Sequence, residues 1–184
     1  MRRKEIQLRP IERPRRSRCR KGEDMKSITI VSGGQTGVDR GALDAGIKLS
    51  VPVGGWCPAD RKAEDGRIPD VYPLKEVPKG GYQARTLKNV LDSEGTAIIF
   101  FTELEGGSRK TASFCRNEGK PYLLLNGIDF PPEDAAVIIH DFIIERGIEV
   151  LNVAGPRQSK QPRAYMYSFK TISRLLELLG ARVD

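Results

Sequence analysis

Five short apolar runs, spaced by stretches long enough to hold a helix, constrain this chain more than any other feature. The runs fall at residues 27–32, 51–54, 96–102, 121–126 and 149–153. Segments of helical character lie at 38–49, 82–92, 111–117, 132–146 and 164–179. The last two are the most regular: Ala135, Ile139, Phe142 and Ile143 fall on one stripe, as do Phe169, Ile172, Leu175, Leu176 and Leu179. Strands joined by helix-length crossovers pair in parallel. Runs as continuous as Ala97-Ile98-Ile99-Phe100-Phe101 require cover on both sides. The pattern predicts an α/β fold: a Rossmann-like doubly wound parallel sheet with helices on both faces, a three-layer sandwich. Ligands of such sheets lie beyond the carboxyl ends of the strands, where the strand order reverses.

Three loops then stand out, because each follows an expected strand. The first is Gly33-Gly34-Gln35-Thr36-Gly37, leading into a helix that carries Asp39 and Arg40. Backbone amides of such a turn can converge on an anion at the positive end of the helix dipole. The glycine spacing matches neither a Walker loop nor the dinucleotide fingerprint. Thr36 is placed as the helix N-cap with Asp39 completing a variant capping box. Gln35 offers a side-chain amide and Arg40 a counter-charge. The second loop is Gly106-Gly107-Ser108 with Thr111, and the third carries Arg157 and Ser159.

One loop is insufficient. A helix dipole contributes roughly 0.3–1 kcal/mol to an exposed anion, against about 8 kcal/mol for micromolar affinity. Charge-assisted hydrogen bonds of roughly 1.5–3 kcal/mol each must supply the difference. Glycines that merely make tight turns are the competing explanation. Three donor-rich loops at one sheet edge favour a bound anionic small molecule.

Residues 55–81 lack periodicity and contain Pro58, Pro69, Pro73 and Pro78. Trp56, Ile68, Val71 and Tyr72 are expected to anchor this stretch as a cover over the site. Trp56 could stack on a heterocycle, and Arg61 or Arg67 could close over an anion; core packing and surface ion pairs are the alternatives. A stripe of Tyr82, Arg85, Thr86, Asn89 and Asp92 could face either the ligand or solvent.

The net charge of +7 invites a nucleic-acid reading, but its location counts against one. Residues 1–26 hold 11 Lys or Arg against 4 Asp or Glu, and residues 27–184 hold 20 of each sign. Residues 1–26 are therefore expected to be a basic, disordered extension, and 27–184 a single ligand-binding domain of neutral balance. Met25 is a plausible natural start. Nucleic-acid binding is not expected of the domain itself; a nucleic-acid-associated protein acting through the basic arm is the third reading. No apolar run reaches the roughly 18 residues of a membrane span. Cys19, Cys57 and Cys115 form no pair motif, so reduced thiols in a cytoplasmic protein are expected. The single histidine, His140, is given no role and no metal site is expected.

These segments resemble the molybdenum carrier family. The motifs are Gly33-Gly34-Gln35-Thr36-Gly37-Val38-Asp39-Arg40-Gly41-Ala42-Leu43-Asp44, Gly55-Trp56-Cys57-Pro58, and Ala63-Glu64-Asp65-Gly66-Arg67-Ile68-Pro69. They continue with Tyr72-Pro73-Leu74, Arg85-Thr86, Gly106-Gly107-Ser108 and Asn152-Val153-Ala154-Gly155-Pro156-Arg157. The resemblance implies a homo-oligomer holding molybdenum cofactor (molybdopterin), a phosphate-bearing pterin with a dithiolene-bound metal. A nucleotide would suit the same loops. Hydrolases of the wider Rossmann-like group place a catalytic glutamate after their glycine loop. None follows Gly106-Gly107-Ser108, so a non-catalytic binding protein is favoured over a nucleotide N-glycosidic hydrolase.

Overall fold

The computed structural model describes residues 28–181. The basic extension expected at residues 1–26 lies outside the described residues. In chain order the elements are β1 (Thr29–Val31), α1 (Val38–Lys48), β2 (Val53–Gly54), β3 (Trp56–Cys57), β4 (Lys62–Ala63), β5 (Gly66–Arg67) and β6 (Lys75–Glu76). They continue with α2 (Gly81–Leu91), β7 (Gly95–Phe100), α3 (Gly106–Asn117), β8 (Tyr122–Asn126), α4 (Pro132–Arg146), β9 (Val150–Ala154) and α5 (Ala164–Leu178).

The five apolar runs make one parallel sheet in the order β2-β1-β9-β7-β8. Its register aligns Ile30 with Val53 and Leu151, and Ala97 with Val153 and Leu123. Residues 95–99 of β7 are buried, as runs covered on both sides must be. Ala97 and Ile99 join the main core with Val38, Leu151, Ile139, Ile172 and Leu176, beneath α1, α4 and α5. Thr96 points to the opposite layer, where Cys115 of α3 reaches it; α3 in turn packs on α2. This is the Rossmann-like sandwich that the periodicity predicts. Among the described residues no helix is long and apolar enough to cross a membrane.

The last strand inserts between the first and the third long run. It therefore brings the carboxyl ends of β1, β9 and β7 side by side at the middle of the sheet. Consecutive loops in space thus come from residues 32–37, 155–159 and 101–105.

Residues 55–81, the expected cover, are built on a small apolar cluster of their own, but none of them lines the main cleft at the sheet edge; Glu64, Asp65 and Tyr72 border only the open hollow beside it. Cys57, Ala63, Ile68, Tyr72 and Leu74 pack on Leu43 of α1, with Val53 bridging to the main core. Two-residue ladders join β3 to β6 and β4 to β5. Val71 is not an anchor: it is 65% exposed.

Candidate functional site

The loop after β1 is held almost wholly by internal contacts. Helix α1 starts after Gly37, with no side-chain cap, so Thr36 is not its N-cap. Instead Thr36 donates through Oγ1 to Glu64 of the cover and accepts from Gln158 N at 3.2 Å. Gln35 Oε1 accepts from the amides of Thr36 and Glu64, both at 3.0 Å. Asp39 reaches back one residue further than a capping box would, accepting from Gln35 N at 3.2 Å. Gly37, at φ 81°, lies where a Cβ would come 2.5 Å from Pro156 O. The missing side chains at Gly33 and Gly34 make room for Arg85 and Leu74 respectively, not for a ligand.

The Gly106 segment departs from expectation in the other direction. Helix α3 begins at Gly106, five residues earlier than the pattern suggests, so Gly106, Gly107 and Ser108 are its first turn rather than a loop. The first amides of a helix have no intrahelical acceptor, and no side chain caps these. A Cβ at Gly106 or Gly107 would meet nothing within 4 Å. Gly107 has an ordinary φ, so neither conformation nor packing requires a glycine there. Thr111 Oγ1 closes the turn on Gly107 O at 2.9 Å.

Between these segments lies a cleft of about 420 Å³, within the range of small-molecule sites. Of the expected residues, Gly33, Gln35, Gly106, Gly107, Ser108, Thr111 and Arg157 line it. Gly155 and Pro156 complete the wall from β9, so all three predicted loops meet in one hollow. Thr36, Gly37, Arg40 and Ser159 instead border a more open hollow on the far side of the first loop.

The cationic residues divide differently from their sequence assignments. Arg40 is bidentate to Asp65 at 2.6 and 2.8 Å and donates to Gly34 O at 3.1 Å; that pairing holds the Asp65 carboxyl below its ordinary range. Arg61 does not close over an anion. It is buried, donating to the carbonyls of Ile68, Pro69, Tyr72 and Leu74 at 2.8–3.1 Å, and so organises the cover. Arg67 forms an exposed pair with Asp70 at 2.8 Å. Trp56 does not line the cleft: its Nε1 donates to Asp92 at 2.7 Å, with Lys88 and Lys75 over the ring. Arg157 is half-exposed at the rim, its Nε 3.6 Å from Glu64.

The cleft cation that sequence reasoning left unassigned is Arg85 of α2, little exposed and paired through Nη1 with Asp39 at 2.9 Å. Burial pushes the Asp39 carboxyl up, against the opposite pull of Arg85 and the Gln35 amide. Arg85 Nε is buried with no acceptor among the described residues, which costs about 1–3 kcal/mol. Tyr82, Thr86 and Asn89 line the same wall, so that part of the stripe faces the cleft, whereas Asp92 is exposed outside it and accepts from Trp56. Its helical spacing was the available signal. Asn152, on a strand, carried none.

Among the described residues no group of three or more His, Cys, Asp or Glu is arranged for a metal. Cys57 and Cys115 are buried, and burial pushes both thiols up. Neither lines the cleft.

Against known proteins, the model of the circularly permutated YpsA SLOG family matches residues 30–176, from β1 into α5. A crystal structure of a putative molybdenum carrier protein from Syntrophus aciditrophicus is 45% identical, with a TM-score of 0.80, covering 83% of this chain and 98% of that one. No curated protein matches. A match over this much of the fold, with a 45% identical solved relative, leads to one conclusion: the chain belongs to the circularly permutated YpsA SLOG family.

Proposed function

We propose that this protein is a carrier that holds an anionic small molecule, molybdenum cofactor, in the cleft at the carboxyl ends of β1, β7 and β9. The observation that carries the reading is the first turn of α3. Three amides without acceptors adjoin open space at Gly107 that no internal requirement explains. That space fits a ligand group, and the donors fit a phosphate.

Gly106, Gly107 and Ser108 would hold that phosphate, and Tyr82, 43% exposed at the cleft wall, offers the aromatic surface first assigned to Trp56. Gln35 and Asn152 provide polar groups along the same walls, while Asn89 is held at both ends by the Trp56 backbone. Among the described residues no cysteine or histidine lines the cleft, so the metal would be carried by the cofactor's own dithiolene. Three charge-assisted bonds supply on the order of 5–9 kcal/mol before ordering costs. Arg85 and the aromatic contact then bring micromolar affinity within reach. The similarity to a protein described as a molybdenum carrier agrees with this reading.

The test is native mass spectrometry with metal analysis on protein purified without oxygen. A pterin and molybdenum co-purifying with the chain are expected; a nucleotide in their place overturns the cofactor assignment. A hydrolase acting on nucleoside monophosphates is the second reading, because Glu103 and Glu105 also line the cleft. Release of free base from such a panel would establish it, and binding without turnover would dismiss it.

A further inference from the structure

We propose that Arg85 determines which ligands the cleft accepts, taking one anionic group on its guanidinium while Asp39, its present partner, takes up a proton. The inference rests on the anion-binding reading above and adds which side chain reads the charge.

The geometry is that of a guanidinium with capacity to spare. Among the described residues only Nη1 has an acceptor, Asp39 Oδ2 at 2.9 Å, and Nε is buried without one. Arg85 lines the cleft. Its position is secured from below, because a Cβ at Gly33 would fall 1.4 Å from Nη1. A glycine there leaves room for this cation and nothing else. The two side chains are 13% and 6% exposed, so water screens them little.

A ligand anion on Arg85 places a second negative charge beside the Asp39 carboxylate. In a buried site two like charges around one cation are resolved by protonating the weaker acid. Asp39 is that acid, and burial already pushes its carboxyl above the ordinary 3.8. The groups that face it are Arg85 from α2, the Gln35 amide and the Ser32 hydroxyl. Arg157, Lys160, Glu103 and Glu105 also line the cleft and are exposed. Proton uptake on binding makes affinity fall as pH rises. The window lies between the pKa of Asp39 in the free and in the liganded protein, both above the ordinary carboxylate value.

The experiment titrates the full chain with inorganic sulfate, whose charge is constant over the working pH range, following the Arg85 Nε–H signal by NMR. Sulfate is expected to shift that signal and to bind more tightly at lower pH. Arg85→Lys should weaken binding roughly 10- to 100-fold. Asp39→Asn keeps the packing and removes the competing charge. It should bind sulfate at least as tightly as the wild type, with the pH dependence gone. Sulfate binding with an unmoved Arg85 signal, or a pH dependence that survives in Asp39→Asn, overturns this inference and leaves the anion cleft standing. Failure of the wild-type protein to bind sulfate overturns both.

Discussion

At Gly33 an added methyl group would fall 1.4 Å from Arg85 Nη1, whereas at Gly107 it would meet nothing within 4 Å. Both sit in glycine pairs after a strand, and composition does not separate them. The first is required by a buried ion pair and the second by nothing inside the protein. Gly33→Ala should therefore destabilise the fold by about 1–3 kcal/mol, through overpacking against Arg85. Gly107→Val should leave stability within about 0.5 kcal/mol of the parent and abolish retention of the native ligand. Denaturant midpoints for both variants, with ligand content on purification, check the pair of outcomes. Arg61 illustrates the same limit on reading charge from sequence. Its guanidinium serves four carbonyls within the cover, so Arg61→Met should cost roughly 2–5 kcal/mol, measured by the same unfolding curves.

Among the elements, the cover is tied to α1 through Arg40 and Asp65, to α2 through Trp56 and Asp92, and to the sheet loops through Glu64. Glu64 accepts from Thr36 Oγ1, Ser159 N and Ser159 Oγ, tying residues 55–81 to the loops after β1 and β9. Partial burial raises the Glu64 carboxyl, but these hydrogen bonds outweigh it and hold the group below its ordinary 4.5. A carboxylate lowered in the folded state contributes stability above its unfolded pKa, and the contribution is lost as pH falls through the folded value. The cover should therefore loosen in acid below about pH 4.5, reported by the single tryptophan, Trp56, on β3. In Glu64→Gln the acid transition of Trp56 fluorescence should shrink to the part that belongs to Asp65 and its pairing with Arg40. The long elements here were legible because their signals are local: α4 runs over Pro132–Arg146, as its stripe predicts. Helix α3 was read five residues short because two glycines are poor helix formers. The two-residue ladders of the cover are too short to show any period.

On the scale of the whole molecule, charge is unevenly distributed along the chain. The positive excess lies in residues 1–26, and the remainder balances. Salt-sensitive retention on DNA, if the full chain shows it, should vanish when residues 1–24 are removed, while the unfolding curve stays unchanged; a column comparison at stepped salt measures it. Fold class and the gathering of three loops followed from the sequence alone. Hydrophobic period and strand–helix alternation are properties of neighbours in the chain, and parallel crossovers leave few ways to arrange them. Which residues form the cleft was decided only in three dimensions. Arg85 meets Asp39 across 46 residues, and Arg40, one position after Asp39, turns instead to Asp65. Such pairings depend on where each helix face points once the sheet has ordered itself β2-β1-β9-β7-β8, and no local pattern encodes that.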